Sequence, residues 1–285
     1  MNIVQISILA LIQGLAELLP VSSSAHVIVA EKLMGLDPTS PEMTLLLVML
    51  HTGTMFSVIY YFWNSWKTSF FLSKTVFIHS MKVIGIATCL TAIVGLSLKY
   101  VIERAFLHDA GKQEIEHLFG NLLLIACSLA AVGILILFAG LVHRRRRDEM
   151  IDIRKACLIG IIQGFCLPFR GLSRSGATIS TGLLLGVNRI KAEEFSFALA
   201  VVLTPPVIAR EVMRLLQTRH VSLHGIGDLT SLFLPSLLGM ALSFVAGLFA
   251  LKWLSSWLEH NRWYWFGLYC ICASLTVFGL HRIGL

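Results

Sequence analysis

Residues 12–26 read Ile-Gln-Gly-Leu-Ala-Glu-Leu-Leu-Pro-Val-Ser-Ser-Ser-Ala-His, and residues 162–178 read Ile-Gln-Gly-Phe-Cys-Leu-Pro-Phe-Arg-Gly-Leu-Ser-Arg-Ser-Gly-Ala-Thr. Both stretches open with Ile-Gln-Gly, and one inserted residue in the second brings their serine clusters into register. Lipid penalises unpaired polar groups, so such clusters persist only inside protein or beside water. The two copies therefore predict one site at the interface of two internal repeats, as in proteins with broken half-helices.

The composition around these stretches is that of a membrane protein. The chain is 56% hydrophobic and 14% charged, with a mean hydropathy of +0.79, whereas soluble domains carry about 25% charged residues. We expect an all-α polytopic membrane protein with about six transmembrane helices plus two re-entrant helical pairs. Runs of spanning length lie near 43–63, 82–101, 121–142, 195–213, 231–253 and 263–284, and shorter apolar segments lie at 3–19, 26–36, 156–169 and 177–187.

Charge predicts the orientation of the chain in the membrane. The loop 143–155 is strongly basic, which favours the cytoplasmic side, and the mixed acidic loop with Asp109, Glu114 and Glu116 then falls outside. With this orientation the first re-entrant pair enters from outside and the second from inside, so the halves form an inverted-topology repeat. The basic residues of the cytoplasmic loop include Arg144, Arg145, Arg146, Arg147, Arg154 and Lys155.

The domain organisation follows from this repeat. We interpret residues 1–285 as a single membrane domain whose repeats, roughly 1–142 and 156–285, are joined by the basic loop. The net charge of +7 then reflects topology, and a nucleic-acid partner is not expected.

We call the turn of each re-entrant pair, at its serine cluster, a tip. The first tip carries an amide and a carboxylate on one helix face. Gln13 and Glu17 are four residues apart, so on a helix their side chains are neighbours. A carboxylate in an apolar segment is a functional candidate, which could bind a divalent cation or accept a proton. The alternative is a structural hydrogen bond to the facing repeat.

The serines that follow Pro20 are candidates for both capping and chemistry. Ser22 and Ser24 fit helix N-caps as well as they fit phosphate binding. Ser23 and His26 are three residues apart and could meet on the second half-helix, where histidine would take the proton of a serine nucleophile.

The second tip has the composition of an oxyanion cradle. Arg174 offers a fixed fork of donors, and the N-terminus of a half-helix adds backbone N–H groups and a positive dipole. The alternative role for Arg174 is that of an ion-pair partner for Glu17, and both roles are compatible in the empty and the loaded protein. The residues flanking it are Ser173, Ser175 and Thr178.

These motifs resemble those of the undecaprenyl-diphosphate phosphatase family, also called bacitracin-resistance proteins. The segment from Gln13 to His26 resembles that family's first motif with its Pro-Val-Ser-Ser continuation, and Gly171 to Thr178 resembles its second motif. The similarity extends through His51-Thr-Gly-Thr54 and Phe195-Ser-Phe197 to the order of the apolar segments, so it covers nearly the whole chain.

The resemblance implies removal of the terminal phosphate from a polyprenyl diphosphate, which recycles the lipid carrier of cell-wall synthesis. It implies a divalent cation, Mg or Ca, and a site open to the periplasmic face of the bacterial inner membrane. By position, Glu17 and Gln13 match the metal-binding pair, Ser23 the nucleophile, His26 its partner and Arg174 the phosphate-binding residue. The partners expected are the lipid substrate and membrane lipid, and a homodimer is left open.

Three positions depart from the family pattern. Gln13 stands where the family often has glutamate, which should weaken cation binding. Arg170 replaces a proline and adds positive charge near the phosphate, and Cys270 replaces an arginine in the last helix.

The principal alternative is a transporter or flippase for a lipid phosphate, since inverted repeats with broken helices are a transporter device. The Ser23–His26 pair and Glu17 favour cleavage, because binding alone needs no activated nucleophile. A second lipid phosphatase superfamily, with a Pro-Ser-Gly-His element, is rejected because Ser173-Arg174 lacks the histidine and aspartate that would follow.

Overall fold

The structure, a computed structural model, describes residues 1–37, 40–106, 121–142, 151–219 and 226–283. Every secondary-structure element in these ranges is an α-helix, which confirms the expected all-α fold. The acidic loop with Asp109 and most of the basic loop, including Arg144–Arg147, lie outside the described residues. The helices are α1 (Ile3–Leu18), α2 (Ser23–Leu33), α3 (Pro41–Ser69), α4 (Lys74–Phe106), α5 (Leu122–Val142), α6 (Ile153–Cys166), α7 (Arg174–Leu184), α8 (Arg189–Arg219), α9 (Ile226–Glu259) and α10 (Trp263–Arg282).

Six of the described helices, α3, α4, α5, α8, α9 and α10, are long and apolar enough to cross a membrane. They coincide with the six runs predicted from the sequence, so the chain is a multi-pass membrane protein. Helices α3 and α4 have 29 and 33 residues and exceed the predicted runs. Polar residues at their ends continue the helix beyond the apolar stretch that marked it.

Three of the short helices begin three residues before the apolar segments that predicted them, at Ser23, Ile153 and Arg174. Their first turns are polar because the amide groups there have no partner within the helix and must be capped. Asp152 accepts a hydrogen bond from the amide of Lys155 at 2.8 Å. Ser173 accepts one from the amide of Gly176 at 3.2 Å.

The packing of the helices repeats in part between the two halves of the chain. Helix α1 packs on α9 as α6 packs on α4, whereas α3 packs on α9 far more extensively than α8 packs on α4. The pairs α5–α10 and α3–α8 join helices of the two halves that hold the same place in the chain order. Among the described residues, the contacts of α5 with α7 and of α7 with α8 have no comparable counterpart in the other half, so the internal repeat stays a prediction.

The glycine of each Ile-Gln-Gly sequence serves the same close crossing. A Cβ on Gly14 would lie 2.6 Å from the Cβ of Ala246 on α9. A Cβ on Gly164 would lie 2.7 Å from the Cβ of Val94 on α4. Only glycine lets α1 and α6 approach their partners this closely.

Buried glutamates tie the start of α8 to its neighbours. The Ser65 hydroxyl donates to the carboxylate of Glu194, and the indole of Trp66 donates to the carbonyl of Glu194 at 3.3 Å. Ser255 donates to the carboxylate of Glu193 at 2.6 Å. Hydroxyl donors thus satisfy both carboxyl groups where α3, α8 and α9 meet.

Candidate active site

The carboxylate of Glu17, near the C-terminal end of α1, is the point at which the two tips meet. Its Oε1 accepts a hydrogen bond from Nη2 of Arg174 at 2.8 Å. Its Oε2 accepts from Oγ of Ser23 at 2.5 Å and from Nε2 of Gln13 at 3.2 Å. The side chain is 16% exposed, and that of Arg174 is 23% exposed, so the ion pair is largely shielded from solvent but remains reachable.

Ser23 and Arg174 are the first residues of α2 and α7, so two helix N-termini face the same carboxylate. Each N-terminus carries free N–H groups and the positive end of the helix dipole. Together with the guanidinium, these groups form an electropositive region suited to a phosphate. The predicted convergence of the two serine clusters on one site is present in the geometry.

Gln13 and His51 complete the group around Glu17. The Gln13 side chain is almost fully buried, and its Nε2 lies 3.1 Å from Nδ1 of His51 on α3. The same His51 nitrogen lies 3.9 Å from Oε2 of Glu17. The sequence marks His51 only as part of a segment that resembles the family. The structure brings it to the site.

The other serines of the first tip connect it to the second. Oγ of Ser22 lies 3.3 Å from Oγ of Ser24, which in turn accepts a hydrogen bond from the amide of Gly171 at 3.3 Å. Gly171 has a φ of +99°, a conformation that favours glycine. The Ser24 side chain therefore links the first tip to the backbone of the second.

The three polar neighbours of Arg174 are buried and engaged with the protein itself. Ser173 caps α7, and Ser175 donates to the carbonyl of Leu19 at 3.4 Å. Thr178 donates to the carbonyl of Arg174 at 2.8 Å and contacts Ser196 at 2.6 Å. These contacts indicate that the hydroxyls hold the cradle in shape, and their predicted contact with phosphate remains a prediction.

His26 is not directed at Ser23. Its Nδ1 lies 2.8 Å from the carbonyl of Ser22, and its Nε2 lies 2.6 Å from the hydroxyl of Tyr269 on α10. Both ring nitrogens are thus engaged, and the hydroxyl of Ser23 is bonded to Glu17 instead. The predicted Ser23–His26 pair is not formed, and the Glu17 carboxylate is the group that accepts the hydrogen bond of the serine hydroxyl.

Tyr269 is a residue that sequence reasoning missed, because it lies outside both motifs. It lies 243 positions from its partner His26, and a lone tyrosine near the start of a spanning helix carries no local signal for such a contact.

Two of the departures from the family pattern also lie at the tips. Cys270 is fully buried, and its Sγ donates to the carbonyl of Pro20 at 3.3 Å. Arg170 is exposed and precedes Gly171, whose amide binds Ser24. The cysteine is therefore a packing residue beside the first tip, whereas the arginine is an exposed charge beside the second, within electrostatic reach of Glu31.

A cavity of about 400 Å³ begins beside the first tip. His26 and Tyr269 contribute polar atoms to a lining that is otherwise mostly apolar. Because Ala25 and His26 lie two and three residues after Ser23 in α2, this apolar space borders the electropositive region. The apolar lining includes Ile12, Val29, Leu33, Leu129, Val277 and Leu280.

Comparisons with known proteins agree with this architecture. The family model described as bacitracin resistance protein BacA matches residues 6–276. The chain is 56% identical over 281 residues to undecaprenyl-diphosphatase 2 of Acinetobacter baylyi, covering 98% of both chains. It is 31% identical over 277 residues to undecaprenyl-diphosphatase of Parabacteroides distasonis, covering 94% of both. It is 32% identical over 285 residues to undecaprenyl-diphosphatase 1 of Burkholderia pseudomallei, covering 95% of this chain and 94% of the relative.

Proposed function

The chain belongs to the bacitracin resistance protein BacA family, and from this membership we propose that it is an integral membrane undecaprenyl-diphosphatase. It hydrolyses undecaprenyl diphosphate to undecaprenyl phosphate and inorganic phosphate, which returns the lipid carrier to cell-wall synthesis. One observation carries the assignment of the site: Ser23 and Arg174, from opposite halves of the chain, both bind the Glu17 carboxylate. The transport alternative is not favoured, since the relatives carry the name of a diphosphatase.

The substrate binds with its terminal phosphate at the N-termini of α2 and α7. The phosphate replaces Glu17 as the partner of the Arg174 guanidinium. A phosphate binds the planar guanidinium in the same two-pronged way as a carboxylate but carries more negative charge. Glu17 is thereby released from its ion pair and keeps its contact with Ser23. The ion pair of the empty site and the phosphate site of the loaded enzyme are two uses of one arginine.

Ser23 then attacks the terminal phosphorus. Glu17 accepts the proton of the Ser23 hydroxyl, the bond between the terminal phosphorus and the bridging oxygen breaks, and the lipid monophosphate leaves. Water then attacks the phosphoserine and its oxygen leaves in inorganic phosphate. Glu17 returns its proton to the Ser23 oxygen, which restores both the hydroxyl and the carboxylate, and the excess proton of the water passes to solvent. Arg174 and the helix N-termini neutralise negative charge that grows on the phosphoryl oxygens, the kind of preorganised electrostatic stabilisation that dominates most catalysis.

Glu17 and Gln13 are the residues that would hold Mg²⁺ or Ca²⁺. Their oxygens suit hard cations, although the Gln13 amide directs its Nε2 at Glu17 and would have to turn its oxygen toward the ion. Within the described residues no three acidic, histidine or cysteine side chains are grouped for a metal. A donor set with one carboxylate fits a cation that is shared with substrate phosphate oxygens and water, as is usual for Mg²⁺. Such an ion would neutralise charge on the phosphate.

The cavity beside His26 supports a lipidic substrate. Its apolar lining continues directly from the electropositive tip, so a molecule with a charged head and a long isoprenoid chain matches both parts. The basic loop 143–155 supports an orientation with the first tip entering from outside, which opens the site to the periplasmic face of the bacterial inner membrane.

The function is tested by phosphate release from undecaprenyl diphosphate by protein purified in detergent, with and without EDTA. We expect metal-dependent release that is lost in Arg174→Ala and Ser23→Ala. Arg104→Ala serves as the control, because Arg104 is exposed on α4. Release that persists in Ser23→Ala but not in Arg174→Ala would mean that water attacks directly. No release by folded wild-type protein with added Mg²⁺ or Ca²⁺ would contradict the function.

A further inference from the structure

A tyrosine of the last helix reaches the first tip from the other half of the chain. The hydroxyl of Tyr269 on α10 lies 2.6 Å from Nε2 of His26, and the two rings are stacked with centroids 5.7 Å apart and planes inclined by 12°. A hydrogen bond and a stacking contact between the same two side chains define both the position and the rotation of the imidazole.

The second nitrogen of His26 shows what the imidazole holds. Its Nδ1 lies 2.8 Å from the carbonyl oxygen of Ser22, while the backbone amide of His26 lies 3.4 Å from the same oxygen. A carbonyl only accepts, so Nδ1 carries the proton and, in the neutral ring, Nε2 accepts from the tyrosine hydroxyl. Of the two His26 contacts with the Ser22 carbonyl oxygen, at the start of α2, the one from the imidazole is therefore the shorter.

Ser22 is the residue whose backbone most needs such support. It has φ 68° and ψ 95°, and within the described residues its side chain makes no capping hydrogen bond. A non-glycine residue in the left-handed region costs on the order of 1–3 kcal/mol and persists only when its surroundings impose it. Ser22 directly precedes Ser23, so its conformation sets the direction in which the Ser23 hydroxyl leaves the tip.

We propose that Tyr269 is a positioning residue for the phosphatase reaction. It fixes the Nδ1–H tautomer and the orientation of His26, which holds the Ser22 carbonyl and so keeps Ser23 on Glu17. The proposal rests on the proposed function only in that Ser23 is the reacting group. Tyr269 acts through His26 and the backbone and has no direct part in the chemistry.

Tyr269→Phe tests this relay, because it keeps the ring and removes the hydroxyl. We expect kcat for undecaprenyl diphosphate to fall roughly tenfold or more, since misplacing a reacting group by about 1 Å can cost on the order of 100-fold. KM should change little, because Tyr269 is not part of the phosphate cradle and phenylalanine keeps the ring that lines the apolar cavity. Tyr61→Phe is the matched control, since it removes a hydroxyl bonded to Ser255 at 3.1 Å, and it should leave kcat unchanged.

A double-mutant cycle separates the relay from a general loss of structure. If Tyr269 acts through His26, then Tyr269→Phe should have no further effect on kcat in a His26→Ala background. An equal loss of kcat in both backgrounds, or wild-type kcat in Tyr269→Phe alone, would overturn the proposal.

The contact can also be measured without turnover. In protein labelled with ¹⁵N-histidine, the His26 signals, assigned by their loss in His26→Ala, should report a neutral Nδ1–H ring in the wild type. Tyr269→Phe should shift them toward a mixture of tautomers. Unchanged signals would overturn the proposal, whereas the expected shift in a protein that releases no phosphate would contradict the proposed function alone.

Discussion

The chemistry of the site is asymmetric although the scaffold that carries it is predicted to be repeated. Ser23 and Arg174 occupy equivalent positions, each the first residue of the helix that follows its tip. One half thus supplies the hydroxyl and the other supplies the cation, and both converge on Glu17. The glutamines have also diverged, because Gln13 contacts Glu17 whereas Gln163 is buried and donates to Thr91 at 3.4 Å. The two tips thus hold different functional groups around one carboxylate.

The charge of Glu17 is the first property to test at this scale. Glu17→Gln keeps the size of the side chain but removes the proton acceptor and the counter-charge of Arg174. We expect kcat to fall by roughly 100-fold or more, the range associated with loss of a general base. Phosphate release from undecaprenyl diphosphate measures the effect.

Glu42→Gln is the matched control for this substitution. The Glu42 side chain is 53% exposed and its carboxylate lies 3.8 Å from the N-terminal amine, so its neutralisation should leave kcat unchanged. A Glu17→Gln enzyme that turns over like the wild type would exclude Glu17 as the base and leave the ion pair as its role.

The amide at residue 13 should set the strength of cation binding. Gln13→Glu places a second carboxylate beside Glu17. A negative charge added a few ångströms from a bound cation strengthens its binding by about 1 kcal/mol or more. We expect the apparent Kd for Mg²⁺ or Ca²⁺, measured by titrating EDTA-treated protein for activity, to fall about tenfold.

Gln163→Glu is the same change at the equivalent position of the other half. It introduces a carboxylate into a fully buried site, so it should lower the thermal unfolding temperature and leave the metal dependence unaltered. A Gln13→Glu enzyme with unchanged or weaker metal dependence would contradict the assignment of residue 13 as a ligand.

Local spacing predicted some of these contacts and not others. Gln13 and Glu17 share a helix face and do interact, as their separation of four residues requires. Ser23 and His26 share a helix too, but helical side chains lean toward the N-terminus, and this takes the imidazole to the Ser22 carbonyl. The contacts of Glu17 with Arg174 and of His26 with Tyr269 join opposite halves of the chain. The first was anticipated because both motifs were visible as a pair, whereas Tyr269 belongs to no motif.

At the scale of the helices, close crossings determine where the tips lie. Gly14 and Gly164 allow α1 and α6 to contact the backbones of α9 and α4. Hydropathy predicts the spanning helices, because a long apolar run is what a helix needs to cross lipid. The Ile-Gln-Gly repeat, in contrast, predicts only the location of the site and not the helix crossings. Its glycines are packing residues, and that role depends on residues 70 or more positions away in each case.

Adding a methyl group at the α1–α9 crossing should separate these helices. In Gly14→Ala the new Cβ would lie 2.6 Å from Ala246 Cβ and 2.7 Å from the carbonyl oxygen of Ser243, which is backbone and cannot rotate away. Overpacking of this kind costs about 1–3 kcal/mol. We expect a lower thermal unfolding temperature in detergent, followed by tryptophan fluorescence.

Gly85→Ala makes the same change on α4, where a Cβ would meet nothing within 4 Å among the described residues. Alanine is the better helix former by about 1 kcal/mol, so this variant should unfold at the same temperature as the wild type or higher. Equal destabilisation by the two substitutions would show that the glycines act through the backbone alone and not through the crossing.

At the scale of the whole molecule, an inverted repeat would account for two helix N-termini at one site. Helices α2 and α7 both start beside the Glu17 carboxylate, and we expect each to belong to a re-entrant pair that returns to its own side of the membrane. If α1–α2 and α6–α7 entered from one side of the membrane, equivalent tips would lie side by side and not opposed. An opposed arrangement is what an inverted repeat would provide, and it would require the loops before α1 and before α6 to lie on opposite sides.

That requirement is tested by labelling cysteines in a variant whose six native cysteines are replaced by serine or alanine. In spheroplasts, Asp109→Cys in the loop after α4 should react with a membrane-impermeant maleimide. Arg145→Cys in the basic loop before α6 should react only after the membrane is permeabilised, because basic loops are retained in the cytoplasm. The reverse pattern would mean that the protein has the opposite orientation in the membrane. The pair α1–α2 would then enter from the cytoplasm, and the site would face that side. Labelling of both loops from one side would contradict the inverted repeat, because the two loops flank α5 and that helix would then not cross the membrane. The predicted pattern leaves the lipid diphosphate to be hydrolysed on the outer side of the membrane, at the tip that enters from there.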